Sequence, residues 1–267
     1  NSEKTIIESI KNNNNIKLLT FSRRFGQPSA TMAGLNESHG KYCIVIDVDL
    51  QDPPELIRDL YNKISDGHNF EVVMAKRKTR KGETLIKKII SSVGYYLINK
   101  MTDIKIPKDT GDFRIMSRRV VDELKKLNES HGFLRGLVSF VGFKQTFIEY
   151  DRLERHRGSG NYNRYFGSLK IGLNGIFSFT SKPLVIMSTA GFIFALISFL
   201  IGLWYVIQKL IGVDFSPGLP TTVLVITFFS GIQLLGLGLL GEYISRIYDE
   251  VKKRPQYIID KKINLDK

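Results

Sequence analysis

Asp47 and Asp49 stand two residues apart just past an apolar run at residues 42–46, and Gln51 follows in the same phase. At the end of a β-strand, residues two apart project to one side. Two carboxylates and an amide oxygen would then face one ligand. Such hard oxygen donors suit Mg2+ or Mn2+, and an ion held there would neutralise a diphosphate. Solvated Asp residues at strand ends give the same pattern, so spacing alone leaves both readings open. A second cluster, Asp109-Thr110-Gly111-Asp112-Phe113-Arg114, follows Pro107 in an expected loop. It joins two acids, a cation and a glycine that lets a ligand approach the backbone; a simple turn has the same composition. Arg152, Arg155 and Arg157, with Gly158 and Gly160, form a third cluster. Guanidinium forks recognise phosphate, although a solvated basic loop beside a membrane looks alike. Arg77 and Arg80 invite the same two readings.

Other chemistries find little support. His39, His68, His131 and His156 are scattered without metal-ligand spacing. No Gly-x-Ser-x-Gly elbow, Walker loop or Cys/His zinc pattern occurs. The single cysteine, Cys43, lies in the apolar run and reads as a small core residue. It cannot form an internal disulfide, which fits a cytoplasmic domain.

Several elements must position these residues. Residues 3–11 read as a helix, 16–21 as a short strand and 29–37 as a helix. The β-branched apolar run at 42–46 has the pattern of a buried parallel strand. Asp52-Pro53-Pro54-Glu55 then reads as a helix start, with Asp52 as cap and Pro53 in the first turn. Residues 71–75 form a further strand, 85–101 and 120–127 helices, and 144–150 an alternating strand. Strands alternating with helices argue for an α/β domain with a mainly parallel sheet.

Two long uncharged stretches, residues 183–208 and 215–241, are each long enough to cross a bilayer, for which about 20 helical residues suffice. Between residues 161 and 182, aromatics, glycines and scattered cations suggest helices lying in the membrane interface; a buried domain helix is the plainer alternative. The expected organisation is a catalytic domain over 1–160, this interfacial segment, the two spans, and a cytoplasmic tail over 242–267. The chain carries a net charge of +13. With a membrane anchor present, that charge points to lipid and phosphate, not nucleic acid. Arg164, Lys170 and Lys182 precede the first span, and Arg246, Lys252, Lys253 and Arg254 follow the second. The positive-inside rule therefore puts both flanks, and both termini, in the cytoplasm.

The clusters together resemble the polyprenyl-phosphate glycosyltransferases of glycosyltransferase family 2, the group of bactoprenol glucosyltransferases and dolichol-phosphate mannose synthases. The matching stretches are Phe21-Ser-Arg-Arg-Phe-Gly26, Asp47-Val-Asp-Leu-Gln-Asp-Pro-Pro-Glu55, Asp109-Thr-Gly-Asp-Phe-Arg114, Phe133-Leu-Arg-Gly136 and Gly241-Glu-Tyr-Ile-Ser-Arg-Ile-Tyr248. The resemblance extends over the whole chain, spans included. It implies a GT-A type, Rossmann-like domain that moves a sugar from a nucleotide diphosphate sugar to a polyprenyl phosphate, with inversion. It also implies a metal at Asp47, Asp49 and Gln51, with Mg2+ or Mn2+ as cofactor. Phosphate contacts would fall to Arg77, Arg114, Arg152, Arg155 and Arg157, and Asp112 would be the catalytic carboxylate. A lipid phosphate is already ionised at neutral pH, so Asp112 could orient a substrate instead of removing a proton.

Two departures stand out. Asn1-Ser2-Glu3-Lys4-Thr5 looks like the tail of the family's Asp-Asp-Gly-Ser-like turn, so part of the base pocket is expected to lie outside this sequence. Gly160-Asn161-Tyr162 stands where the family has Ser-Lys-Tyr or Thr-Lys-Tyr. The expected enzyme sits in a bacterial plasma membrane and uses a UDP-sugar, glucose or N-acetylglucosamine. It would form a homo-oligomer and hand its product to a flippase and a downstream glycosyltransferase. The rivals are a non-catalytic membrane scaffold with a degenerate transferase domain, and a phosphohydrolase with Asp47 as nucleophile. Leu50-Gln51 after the second Asp disfavours the hydrolase, which ordinarily has Gly-Thr there.

Overall fold

The computed structural model describes residues 2–78, 110–127, 134–151, 175–212 and 218–265, together with positions 96, 99–102, 107 and 129. These divide into two compact units, one of residues 1–179 and 253–267, the other of residues 180–252.

In the first unit the elements run α1 (Ser2–Asn12), β1 (Leu18–Phe21), α2 (Gln27–Asn36), β2 (Tyr42–Val45), α3 (Leu56–Ser65), β3 (Val72–Arg77) and β4 (Thr110–Ser117). They continue with α4 (Arg118–Lys126), α5 (Leu134–Val141) and β5 (Gln145–Tyr150). A four-stranded sheet has the order β2-β4-β3-β5. β3 and β5 pair in parallel, whereas β4 pairs antiparallel with both β2 and β3. Strands β2, β3 and β5 therefore point one way and β4 alone is reversed, so the sheet is mixed but mainly parallel in direction.

Alternation along the strands sorts the core into two layers. Val72, Met74 and Met116 join residues of α2, α4 and α5: Met32, Leu35, Val120, Val121, Leu124, Leu134, Leu137 and Val138. Val73, Ala75, Phe113 and Ile115 face the other way, onto Leu56, Leu60 and Ile64 of α3. Those three recur every four residues, the spacing that puts one helical stripe against a sheet. Ser117 ends β4 and caps α4, accepting from Val120 N at 3.4 Å. Cys43 is buried in the first layer, as expected.

Three expectations change. The Thr110–Arg114 cluster is not a loop but the start of strand β4, in the middle of the sheet. Gly and Asp disfavour strands locally, yet pairing with β3, from Thr110 opposite Lys76 to Arg114 opposite Met74, overrides that preference. Helix α3 begins at Leu56, after the Pro-Pro pair, with turn bonds from Leu56 N and Ile57 N to the carbonyls of Pro53 and Pro54. β1 forms as expected but lies outside the main sheet, pairing antiparallel with β6 (Ile259–Ile263). The C-terminal segment thus contributes a strand to the first unit.

The second unit contains α6 (Lys182–Leu210, 29 residues) and α7 (Leu219–Lys252, 34 residues). Both are long and apolar enough to cross a membrane, and none of either apolar window is buried. Phe192, Trp204, Leu234 and Leu235 turn outward, an arrangement that suits lipid and not water. Phe194 meets Phe229 edge-on at 5.6 Å, and the Tyr243 hydroxyl donates to the Thr180 carbonyl at 2.7 Å. α6 extends slightly past both expected limits of its span, whereas α7 begins at Leu219, inside the expected start, and continues past the expected end to Lys252. The expected helix at 85–101 and the interfacial segment lie largely outside the described residues.

Gly136 marks a close approach within the first unit. A Cβ there would sit 2.2 Å from a ring carbon of Phe179. Gly136→Ala should therefore cost about 1–3 kcal/mol, the usual penalty of overpacking, read as a lowered denaturation midpoint. Unchanged stability would mean that the ring moves aside freely.

Candidate active site

The sheet's polarity gathers the candidate residues. Because β4 is reversed, its first residues lie beside the last residues of β2 and β3: Val45 is opposite Arg114, and Lys76 is opposite Thr110. Arg77 ends β3 opposite Tyr150, the end of β5. Asp47 and Asp49 follow β2 at this same end. Ligands of α/β sheets bind at the carboxyl ends of strands, and here that end carries Asp47, Asp49, Arg77, Asp112 and Arg114.

Asp47 and Asp49 are not strand residues. β2 stops at Val45, and Val48-Asp49 form a turn that passes through a left-handed Leu50 (φ 57°). The turn, and not strand alternation, sets where the carboxylates point. Asp47 Oδ1 accepts from the Gln27 side chain at 2.7 Å. Asp49 Oδ1 accepts from the backbone N–H of Gln51 at 3.2 Å. This donor set of two carboxylates and an amide fits Mg2+ or Mn2+, which bind through one or two carboxylates plus substrate phosphates. No group of three or more His, Cys, Asp or Glu side chains converges among the described residues.

Asp52 and Tyr150 brace the turn from below. Asp52 is buried and accepts a short hydrogen bond from the Tyr150 hydroxyl. Burial, then the Asp52 bond, pushes the Tyr150 phenol up to about 12 against an opposing pull from Arg77. The phenol therefore remains a donor at physiological pH. Tyr150→Phe should cost about 1–3 kcal/mol, because it leaves a buried carboxyl without this donor. Denaturant unfolding would measure it, and a neutral result would make the bond dispensable.

Arg77 lies over Gly111, where a Cβ would come 3.1 Å from its terminal nitrogen. Its Nε is buried without a hydrogen-bond partner among the described residues. Such an orphaned donor is costly unless a ligand or water meets it. Arg114 is different. It is 1% exposed, and it donates to the carbonyls of Gly111 (2.8 Å) and Asp112 (3.3 Å). Its guanidinium fastens the backbone that carries Asp112.

Asp112 is partly buried and ringed by cations. Arg135 Nε donates to its Oδ1 at 2.9 Å, and Arg114 stands 3.8 Å from the same oxygen. Burial is the largest single influence and raises the carboxyl. The combined pull of Arg135, Arg114 and Arg77 outweighs it and holds Asp112 below the usual carboxylate range. The carboxylate is therefore ionised and weakly basic.

Arg152, Arg155, Arg157 and Asp109 lie outside the described residues. Arg135, Tyr150, Asp52 and Gln27 join the site in the structure without a site role expected from the sequence. Phe133-Leu-Arg-Gly136 offered a signal for Arg135, an Arg-Gly pair opening a short apolar helix; the other three are recognisable only from contacts distant in sequence.

Comparison with known proteins identifies the family. The sequence model of Glycosyl transferase family 2 matches residues 1–125. The uncharacterized glycosyltransferase YkcC of Bacillus subtilis is 46% identical over 94% of this chain and 77% of its own length. The SfII prophage-derived bactoprenol glucosyl transferase of Shigella flexneri is 42% identical over 91% of this chain and 78% of its own. The prophage bactoprenol glucosyl transferase homolog of Escherichia coli is 41% identical over 90% and 78%. With this identity running through both the sheet and the apolar helices, the chain belongs to glycosyltransferase family 2.

Proposed function

We propose that the protein transfers a single sugar from a nucleotide diphosphate sugar to a polyprenyl phosphate at the membrane surface. The observation that carries this reading is the sheet end where two acidic residues, a cation with an orphaned buried nitrogen and an arginine-bound carboxylate meet, in a chain with two membrane-length helices. Relatives named bactoprenol glucosyl transferase support the acceptor class and favour glucose as the sugar; a UDP carrier, and N-acetylglucosamine as the alternative sugar, belong to the proposal itself.

Asp47, Asp49 and Gln51 would hold a Mg2+ or Mn2+ ion, which supplies charge neutralisation for the donor diphosphate. Arg77 offers its buried Nε to a phosphate oxygen. Arg114 serves from behind, fixing the Gly111-Asp112 backbone. Arg152, Arg155 and Arg157 are proposed as further phosphate contacts on the acceptor side.

The acceptor phosphate is ionised at neutral pH and needs no base. Asp112, held ionised and weakly basic by three arginines, suits orientation of the acceptor or of the sugar better than proton removal. Attack by the phosphate oxygen on the anomeric carbon breaks the bond to the nucleoside diphosphate and inverts the centre. The leaving diphosphate carries away the bonding electron pair. The basic flanks of the two spans support an orientation with the catalytic unit in the cytoplasm. A flippase, a downstream glycosyltransferase and a homo-oligomer remain part of this reading as partners in lipid-linked sugar donation.

Membranes containing the full chain, given polyprenyl phosphate and radiolabelled UDP- and GDP-sugars in turn, should put label into the organic phase. A chelator should remove that signal, and Mg2+ or Mn2+ should restore it. No label from any donor, with folded protein, would overturn the reading and favour a membrane scaffold.

A further inference from the structure

We propose that Arg135 is a positioning residue for Asp112: from the first turn of α5, its Nε grips one carboxylate oxygen and so fixes which oxygen meets the substrate. The proposal rests on the transferase reading for its catalytic consequence, but the contact itself stands on geometry.

Helix α5 is well fixed for this task. Leu134, Leu137 and Val138 are buried in the core, and Gly136 is closed by the Phe179 ring. Ser139 Oγ donates to the Arg135 carbonyl at 3.0 Å, and the Gln145 amide donates to the Val138 carbonyl at 2.9 Å. Arg135 therefore starts from a backbone with little freedom. Its Nε meets Asp112 Oδ1 at 2.9 Å, 23 residues away in sequence. Arg114 addresses the same oxygen from 3.8 Å, and among the described residues no hydrogen bond engages Oδ2.

An ordinary exposed ion pair is worth little. This one differs in two respects: both side chains are about three-quarters covered, at 25% and 24% exposure, and the acid is the site carboxylate. The charged groups facing Asp112 are Arg135 from α5, Arg114 from β4 and Arg77 from β3. Of these, Arg114 is committed to backbone carbonyls and Arg77 lies over Gly111. Arg135 alone makes a direct hydrogen bond to the carboxylate among the described residues.

Asp112 is held low in the folded state, so its stabilising contribution is complete above the unfolded carboxylate range and fades as pH falls through the folded value. Removing Arg135 weakens the pull and lets burial raise the carboxyl. The acid-side loss of stability should then be smaller, while protonation of the folded carboxyl, read as the acid limb of activity, should move to higher pH.

The test compares Arg135→Gln, Arg135→Lys, Asp112→Asn and the Arg135→Gln/Asp112→Asn pair, each in the full chain. With UDP-glucose and undecaprenyl phosphate as probes, Arg135→Gln should lower kcat by roughly 10- to 100-fold, the scale expected for a misplaced group. The donor KM should stay within about twofold, since the donor-side residues are untouched. The acid limb should move to higher pH, and Arg135→Lys should recover part of both effects. In the Asp112→Asn background, Arg135→Gln should add no further loss. Additive losses, or an unmoved acid limb, would overturn the proposal.

If the wild type transfers no sugar from any donor, the transferase reading fails, while the Arg135 assignment is still decided by unfolding. On acidification the thermal midpoint of Arg135→Gln should fall less than that of the wild type, and this difference should vanish in the Asp112→Asn background. Coincident wild-type and Arg135→Gln curves would refute the assignment on their own.

Discussion

Asp49→Asn should abolish sugar transfer while leaving the protein folded. The change keeps size and shape but removes a charge from the turn after β2. Asp49 Oδ1 accepts from Gln51 N–H, and an Asn carbonyl can accept the same bond, so the turn survives. What is lost is the affinity of a hard carboxylate for a divalent cation. Several kcal/mol of transition-state stabilisation then disappears, equivalent to roughly a hundredfold or more in rate. Transfer assays would show the loss, and an unchanged thermal midpoint would show that folding is spared. Full activity in this variant would remove the metal assignment.

Arg114→Ala should have the largest effect on stability. The guanidinium is fully enclosed and supports two carbonyls on consecutive residues, Gly111 and Asp112. Truncation removes both of these bonds, opens a cavity in the central strand and strips a positive neighbour from Asp112. Breaking a buried charged interaction of this kind costs about 3–5 kcal/mol, a large part of an ordinary domain's stability. Denaturant unfolding of the two proteins would measure it. A change of less than about 0.5 kcal/mol, the range of an ordinary surface substitution, would show that Arg114 braces nothing. Arg114→Lys keeps a charge but loses the fork, so it should fall between the two.

Arg114 also shows where sequence reasoning stops. The motif Asp112-Phe113-Arg114 was legible, and a phosphate-contacting role was the expectation. Whether a guanidinium points to solvent or turns back into the core depends on the reversal of β4, which no local signal announces. Residues 110–112 look like a turn because Gly111 and Asp112 both disfavour strands. Only pairing with β3, where Thr110 lies opposite Lys76, makes them strand residues. The elements with strong local patterns were legible: the apolar run at β2, the helix that follows Pro53-Pro54, the alternation of β5 and the two long apolar helices. β6 was not. In Ile259-Asp-Lys-Lys-Ile263 only the ends are apolar, and its partner β1 is some 240 residues away. Arg135 and Asp52 belong to the same class, because each acquires its role from a contact distant in sequence.

The most direct test of the account is the identity of the lipid formed. Full-length protein in membranes, with Mg2+ or Mn2+, undecaprenyl phosphate and the donor that gives label, should yield a lipid heavier by one sugar residue. That sugar should be joined through the phosphate, with one nucleoside diphosphate released for each lipid formed. Release of free sugar with the lipid unchanged would contradict transfer and point instead to hydrolysis.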